Sequence, residues 1–454
     1  MPRKQSPPKG QSPQRGPAKV GRPPAKGLPS VKDKPTGNGT PAAVTFAGLL
    51  RPLIAEPATP QAAVNLQSSP LAHLDYPEEL GIKNQALALF WKHFRLPGQP
   101  EPIIASPQSR RYRTTSKRKT ILQGGTLSLL FNDRSLLPRK NYFVESPLEL
   151  PEHGRIFDFL QKKISAPAFR LVAAHLNYLI IRGSYQEHAV IFNVDTLNGP
   201  LVRKLKMVAE HLQKLSSKVT AAYIYPAPKG SDYYLEERQP ADLLQFKKLF
   251  GKGDLTVSHH QCRYFYHPTS FSQVNESMVP GMLKLAKEML SPQPDERLLD
   301  LYCGYGLFSH FLAPDYQQVM GIDLEGPSIR SAIANRKCNP SSGSSRFLAR
   351  RITENSLEAL SFPEAGTVEA ILLDPPRQGP QEGVIAALGR RNPLKVLHIH
   401  CGVDQIPSSI RQWKQCGYQV TRIAPLDMFP GTANLEVLIL FTRAGAGRQG
   451  AAGR

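Results

Sequence analysis

No apolar run approaching the roughly 18 residues that span a bilayer occurs in the 454-residue chain. A transmembrane segment is therefore not expected, and residues 1–20 hold no apolar core of a secretory signal. Cysteine is scarce as well. The five present (Cys262, Cys303, Cys338, Cys401 and Cys416) are odd in number and include no C-x-x-C pair, which argues against a disulfide framework, a metal site or an iron–sulfur cluster. That usage suits a reducing compartment, so a cytoplasmic protein is expected. Acidic residues are in deficit, 36 Asp+Glu against 57 Lys+Arg, for a net charge of +21. So basic a chain points to nucleic acid or an anionic surface as partner. Its 41% apolar content excludes a wholly disordered protein, and its length suits two or three domains.

The charge is unevenly placed. Residues 1–45 carry nine Lys/Arg against the single Asp33, a net +8, together with ten prolines. Such a segment buries too little apolar surface to offset its ordering entropy, so residues 1–70 are expected to form a disordered basic tail. It either attracts RNA phosphates without reading sequence or serves only as a solubilising extension. The remaining +13 lies on residues 46–454. Its densest cluster, Arg110, Arg111, Tyr112, Arg113, Lys117 and Arg118, leads into a β-hairpin pattern turning at Gly124-Gly125. These residues are candidates for clamping an RNA backbone and stacking a base, or else form a solvated strand face.

Residues 71–265 read as an α+β module. Helical spacing runs over residues 71–95, Gly154–Ile164 and Val202–Leu215, and strands are expected at Leu176–Arg182, His188–Val194 and Ala221–Tyr225. From residue 266 to 443 apolar strands alternate with helical patterns, which predicts a Rossmann-like α/β domain with a doubly wound, mostly parallel sheet. The expected strands are Arg297–Leu301, Gln318–Ile322, Ala370–Leu373, Lys395–His400, Tyr418–Ile423 and Val437–Phe441. Residues 444–454 are Gly-rich and expected to fray.

Three motifs fall at the ligand edge of that sheet. Asp300-Leu-Tyr302-Cys-Gly304-Tyr-Gly306 takes a strand into a G-x-G turn, where glycines let a ligand approach the backbone. Asp323, 17 residues after Gly306, ends the next strand, where a carboxylate can accept ribose hydroxyls. Ser309 replaces the third glycine of a dinucleotide fingerprint, which favours S-adenosylmethionine over a pyrophosphate-bearing cofactor. Asp374-Pro375-Pro376-Arg377 then sets a carboxylate before a rigid, donor-poor turn suited to holding a planar base. Cys401 ends the following strand, and Glu436 begins the last one.

Together with Tyr112-Arg113 and Ser270-Phe-Ser-Gln273-Val-Asn275, these motifs resemble, in order and spacing, the RNA uracil-5-methyltransferases over about residues 74–443. The resemblance implies a class I S-adenosylmethionine-dependent fold and an enzyme that methylates carbon 5 of a uridine in tRNA or rRNA. It implies Cys401 as nucleophile and Glu436 as proton acceptor. It also implies that Gln273, Tyr302, Asp323 and Asp374 line the cofactor and uracil pockets, with Gly304 and Gly306 in the cofactor turn. The expected partner is an RNA substrate, with no membrane, metal or iron–sulfur cluster, and the protein is expected to be a monomer.

The chain also departs from that pattern. His400 precedes the nucleophile where the family usually has Ser, Gly402-Val403 follow it in place of Asn/Asp-Pro, and Leu307 replaces an Asn after the G-x-G. On a regular strand His400 faces away from Cys401. Neither the Cys-rich cluster nor the oligonucleotide-binding barrel of some members is evident. These departures keep a second reading open, a catalytically weak or inactive RNA-binding or folding protein with the same fold. A third, a cytosine-5 or amino-methyltransferase, lacks both the Pro-Cys motif and the aromatic that Arg377 displaces.

Overall fold

The computed structural model describes residues 44–55, 69–131, 146–227, 246–339, 344–360 and 368–443. Thr45 caps the short helix α1 (Phe46–Leu50), its side chain accepting the Gly48 N–H at 3.0 Å. Phe46 and Leu50 are buried, and the Phe46 ring meets Phe90 edge-on at 6.4 Å. Residues 44–55 therefore do not belong to a disordered tail, because two apolar side chains anchor them. The rest of that tail, residues 1–43 and 56–68, lies outside the described residues apart from its last two, as does the C-terminal stretch 444–454. Helix α2 (Tyr76–Phe94) opens with Pro77 and two glutamates in its first turn, and ends where Arg95 turns left-handed. It buries Ala86, Leu87, Phe90 and Trp91.

A six-stranded sheet follows. Strands β1 (Ser116–Gln123) and β2 (Thr126–Leu130) form the expected hairpin, and Gly124 and Gly125 both adopt positive φ at its turn. Helices α3 (Pro151–Ser165) and α4 (Arg170–His175) lead to β3 (Leu176–Gly183) and β4 (His188–Val194). Helix α5 (Gly199–Leu215) crosses to β5 (Val219–Pro226), which pairs parallel to β4, and β6 (Lys247–Gly251) closes the order β2-β1-β3-β4-β5-β6. Alternation on β3 and β4 sends Leu179, Ile181, Val190 and Phe192 onto the helices, and Tyr178, Ile180 and Ile191 to the other face.

That other face packs on the hairpin β7 (Leu255–His259) and β8 (Cys262–Tyr266), on α6 (Val279–Leu290), and on the second sheet through Leu298, Leu372, Leu397 and Leu438. One apolar core thus runs across residues 265–266. The second sheet is assembled from β9 (Glu296–Leu301), β10 (Gln318–Asp323), β11 (Ser345–Ala349), β12 (Val368–Leu373), β13 (Lys395–His400), β14 (Tyr418–Leu426) and β15 (Glu436–Arg443). Helices α7 (Leu307–Leu312), α8 (Pro327–Asn335), α9 (Glu354–Glu358), α10 (Val384–Arg390) and α11 (Ile406–Gln415) connect them. The order is β11-β10-β9-β12-β13-β15-β14, parallel up to β13 with β15 inserted antiparallel. This is the mostly parallel, doubly wound sheet that the alternating pattern predicts. Its order reverses between β9 and β12, which opens a crevice at their carboxyl ends. Among the described residues no helix is long and apolar enough to cross a membrane.

Candidate active site

The crevice is built by the turn after β9. Gly306 sits at φ +86°, and a Cβ there would lie 2.7 Å from His310. Gly304, at φ +56°, has nothing within 4 Å of where a Cβ would be, so its open side faces space rather than protein. Tyr302 holds φ 63° without being glycine, a conformation costing about 1–3 kcal/mol. Its N–H and that of Cys303 converge on the Ile322 carbonyl at 2.9 and 3.2 Å, which ties the turn to β10.

Carboxylates line this turn. Asp323 accepts the N–H groups of Gly304 at 2.7 Å and Leu324 at 2.6 Å, while burial raises its pKa. Asp300 is fully buried. One of its oxygens accepts the Ser309 hydroxyl and the other has no partner, and burial pushes its pKa up to about 7. Ser309 thus occupies the third-glycine position because its hydroxyl holds Asp300. Asp374, whose N–H bonds the Leu301 carbonyl at 3.3 Å, completes the set. Such acceptors suit a ligand presenting hydroxyls, an ammonium and a sulfonium. The unpartnered Asp300 oxygen and the open face of Gly304 fit S-adenosylmethionine on that chemistry. Among the described residues no group of three His, Cys, Asp or Glu could hold a metal ion.

The thiol lies next to this crevice. Strands β13 and β15 pair His400 with Val437 as their last rung, and the residues flanking that rung, Cys401 and Glu436, interact electrostatically. Cys401 Sγ is 3.9 Å from the Pro375 carbonyl, and the side chain is half-buried. Burial, followed by the charges of Glu436 and Asp374, pushes its pKa up to about 12, with Arg377 acting in the opposite direction. Glu436 is almost fully buried and its pKa rises to about 7 through burial, again offset by Arg377. Asp374 is raised further still by burial, then by Glu436, Asp300 and Asp323. His400 turns away, as strand alternation requires. Its imidazole is buried against His398 at a centroid distance of 3.9 Å, and burial lowers its pKa to about 4.

Other candidates fall elsewhere. Gln273 lines a small cleft with Tyr266, Glu276 and Tyr305, on the flank of the G-x-G turn. Leu307 is buried in the core, and its carbonyl accepts the Tyr264 hydroxyl at 2.9 Å. The basic cluster is largely structural. Tyr112 is fully buried and donates to the Pro430 carbonyl at 2.9 Å, so it cannot stack a base. Alternation along β1 turns Arg118 inward, where it grips both oxygens of Glu149 at 2.8 and 2.5 Å. Arg110 pairs with Glu79 at 2.9 Å and bonds the carbonyls of Leu71, Ala72 and Leu74. Arg111 is exposed, and Arg113 and Lys117 are half-buried, so these three remain on the accessible side. Sequence reasoning passed over Arg377, whose cation lies 5.7 Å over the Phe429 ring and within electrostatic reach of both Cys401 and Glu436. The Asp-Pro-Pro-Arg run was its signal. It also gave no role to Phe271, 65% exposed beside Gln273.

Comparison with known proteins agrees with this geometry. The model of the tRNA (uracil-5-)-methyltransferase family matches residues 232–444. An uncharacterized RNA methyltransferase of Lactobacillus johnsonii is 25% identical over 82% of this chain and 81% of its own length. The 23S rRNA (uracil(1939)-C(5))-methyltransferase RlmD of Vibrio campbellii is 29% identical over 82% of this chain and 79% of its own. Among solved structures, the Pyrococcus abyssi tRNA (uracil-54, C5)-methyltransferase in complex with S-adenosyl-L-homocysteine superposes with a TM-score of 0.62 at 21% identity, covering 82% of this chain and 85% of that one. That superposition identifies the fold as the class I methyltransferase fold. With a thiol, a buried glutamate and a carboxylate-lined crevice gathered at one edge of that fold, and the family match spanning all three, the chain is similar over residues 232–444 to the tRNA (uracil-5-)-methyltransferase family.

Proposed function

We propose that the protein methylates carbon 5 of a uridine in structured RNA, tRNA or rRNA, using S-adenosylmethionine and a covalent Cys401–uracil adduct. The observation that carries this reading is the proximity of Cys401 and Glu436, which flank the last rung of β13 and β15, beside the crevice lined by Asp300, Asp323 and Asp374. Carbon 5 of uracil is a weak nucleophile, so the reaction needs prior activation. The Cys401 thiolate adds to carbon 6, forming a C–S bond and pushing the double-bond electrons toward carbon 5 and the O4 enolate. Bound cofactor supplies an electrophilic methyl on a sulfonium, which leaves as the neutral thioether. Glu436 then takes the proton from carbon 5, the released pair restores the C5–C6 double bond, and the thiolate departs.

The electrostatics fit this order of events. With the thiol pKa raised to about 12, Cys401 rests protonated. The Arg377 cation is the group that favours its thiolate. A buried glutamate with a pKa near 7 is matched to a proton acceptor at neutral pH. Arg111, ahead of β1, and Lys117 and Lys119 on it stay accessible and serve as phosphate contacts for the RNA.

Incubating the protein with S-adenosylmethionine and unmodified RNA, then digesting to nucleosides for mass spectrometry, should reveal 5-methyluridine with wild type and none with C401A. Methylation of a cytidine or of an exocyclic amine would overturn the reading. No cofactor binding by calorimetry at millimolar concentration would leave an RNA-binding protein with the same fold.

A further inference from the structure

We infer that residues 71–112, which precede the part of the chain matched by the family model, act as a clamp that positions Glu436. The inference rests on the reading of Glu436 as proton acceptor. The last rung between β14 and β15 pairs Leu426 with Glu436, so the connecting loop 427–435 delivers Glu436 directly into the site. Four consecutive carbonyls of that loop are each held from outside it. Met428 accepts Asn275 Nδ2 at 3.2 Å and Phe429 accepts Lys83 Nζ at 3.3 Å. Pro430 accepts the Tyr112 hydroxyl at 2.9 Å and Gly431 accepts the Leu71 N–H at 3.1 Å.

The donors are themselves locked. Lys83 is fully buried between Glu79 at 2.7 Å and Asp427 at 2.8 Å. Glu79 also accepts the Gly431 N–H at 2.5 Å and pairs with Arg110 at 2.9 Å. Asp427 takes the Tyr76 hydroxyl at 3.1 Å on its other oxygen. Gly431 itself, at φ +80°, is packed so tightly that a Cβ would stand 2.7 Å from Leu148. A loop held at four consecutive carbonyls has little freedom to swing, and Glu436, which follows it, inherits that restraint. The clamp also fixes Phe429, over which Arg377 lies. Lys83 and Tyr112 are therefore positioning residues, acting on the proton-removal step through the loop, which Asn275 holds from outside the clamp.

This role separates from simple stabilisation because thiolate addition and methyl transfer do not require Glu436, whereas adduct resolution does. RNA containing 5-fluorouridine reports the first two steps alone, since fluorine at carbon 5 cannot leave as a proton. Unmodified RNA reports all three. Y112F removes one buried oxygen and keeps the ring. It should trap 5-fluorouridine RNA at the wild-type rate while slowing turnover about five-fold, the effect of one hydrogen bond, with a denaturation-resistant adduct building up on unmodified RNA. K83M should show the same split more strongly, toward the roughly 100-fold that a displacement of about 1 Å costs. K395M, which breaks the remote buried pair of Lys395 with Glu296, should leave adduct lifetime as in wild type. If trapping and turnover fall in parallel in Y112F, or if K395M mimics it, the clamp is only structural and the inference fails. E436Q separates this from the underlying reading: should E436Q itself show no split, Glu436 is not the proton acceptor.

Discussion

At the scale of single residues, the site's chemistry is set by burial more than by sequence neighbours. Cys401 and Glu436 interact electrostatically, yet each is pushed toward its neutral form by desolvation first. This gives a pH prediction with a definite sign. Glu436 must be ionised to take a proton, so adduct resolution on unmodified RNA should rise with pH through about 7 and then level off, and E436Q should abolish that dependence. The same shift acts on stability in the opposite direction. A carboxyl whose folded pKa lies above its usual value of 4.5 contributes stability that is present at low pH and lost as pH rises through about 7. E436Q should therefore raise Tm relative to wild type at pH 8 and leave it nearly unchanged at pH 4, as measured by calorimetry. An equal effect at both values would contradict the burial argument. Cys401, Glu436, Asp323 and Asp374 each stand at the end of an apolar strand, but it is the resemblance to the RNA uracil-5-methyltransferases that marks out Cys401 and Glu436. Tyr112, Arg118 and Arg110 were misread as RNA contacts because charge is visible in a sequence and its buried partner is not. Glu79 and Glu149, the acids that neutralise the two arginines, stand about 30 residues away along the chain.

At the scale of elements, long apolar strands and amphipathic helices were legible, including the Gly124-Gly125 hairpin and the inner strands of both sheets. Strands β6, β7, β8 and β11 were not. Each is only five residues long, and β6 carries two consecutive lysines, so neither alternation nor a sustained apolar run marks it. Helix α1 was hidden for another reason: it follows a Pro-rich basic stretch whose composition dominates any window that includes it. Its anchorage is specific. The Phe46 N–H donates to Asp404 at 2.7 Å, three residues beyond Cys401, and the ring packs against Phe90. Phe46→Ala should cost roughly 3 kcal/mol, the usual price of truncating a buried aromatic, and lower Tm accordingly. An unchanged Tm would mean that α1 is not anchored on the thiol-bearing loop.

At the scale of the whole molecule, the division expected near residue 265 proves to be a seam without a gap. The inner face of the six-stranded sheet, the β7–β8 hairpin and the outer face of the parallel sheet share one core. A continuous core explains why residues far apart in sequence can cooperate at one site: Leu71, Lys83, Tyr112 and Asn275 all reach the loop before Glu436. Composition showed a basic chain of +21, and the fold shows that much of the charge around residues 110–118 is spent internally on Glu79 and Glu149. What stays accessible is Arg111, Lys117 and Lys119. Central to this account is a covalent bond between one thiol and the target base. Protein incubated with S-adenosylmethionine and 5-fluorouridine RNA, digested and analysed by mass spectrometry, tests it directly. The account predicts a methylated fluorouridine adduct on the peptide bearing Cys401 and no adduct with C401S. An adduct on another residue, or 5-methyluridine formed by C401S on ordinary RNA, would contradict it.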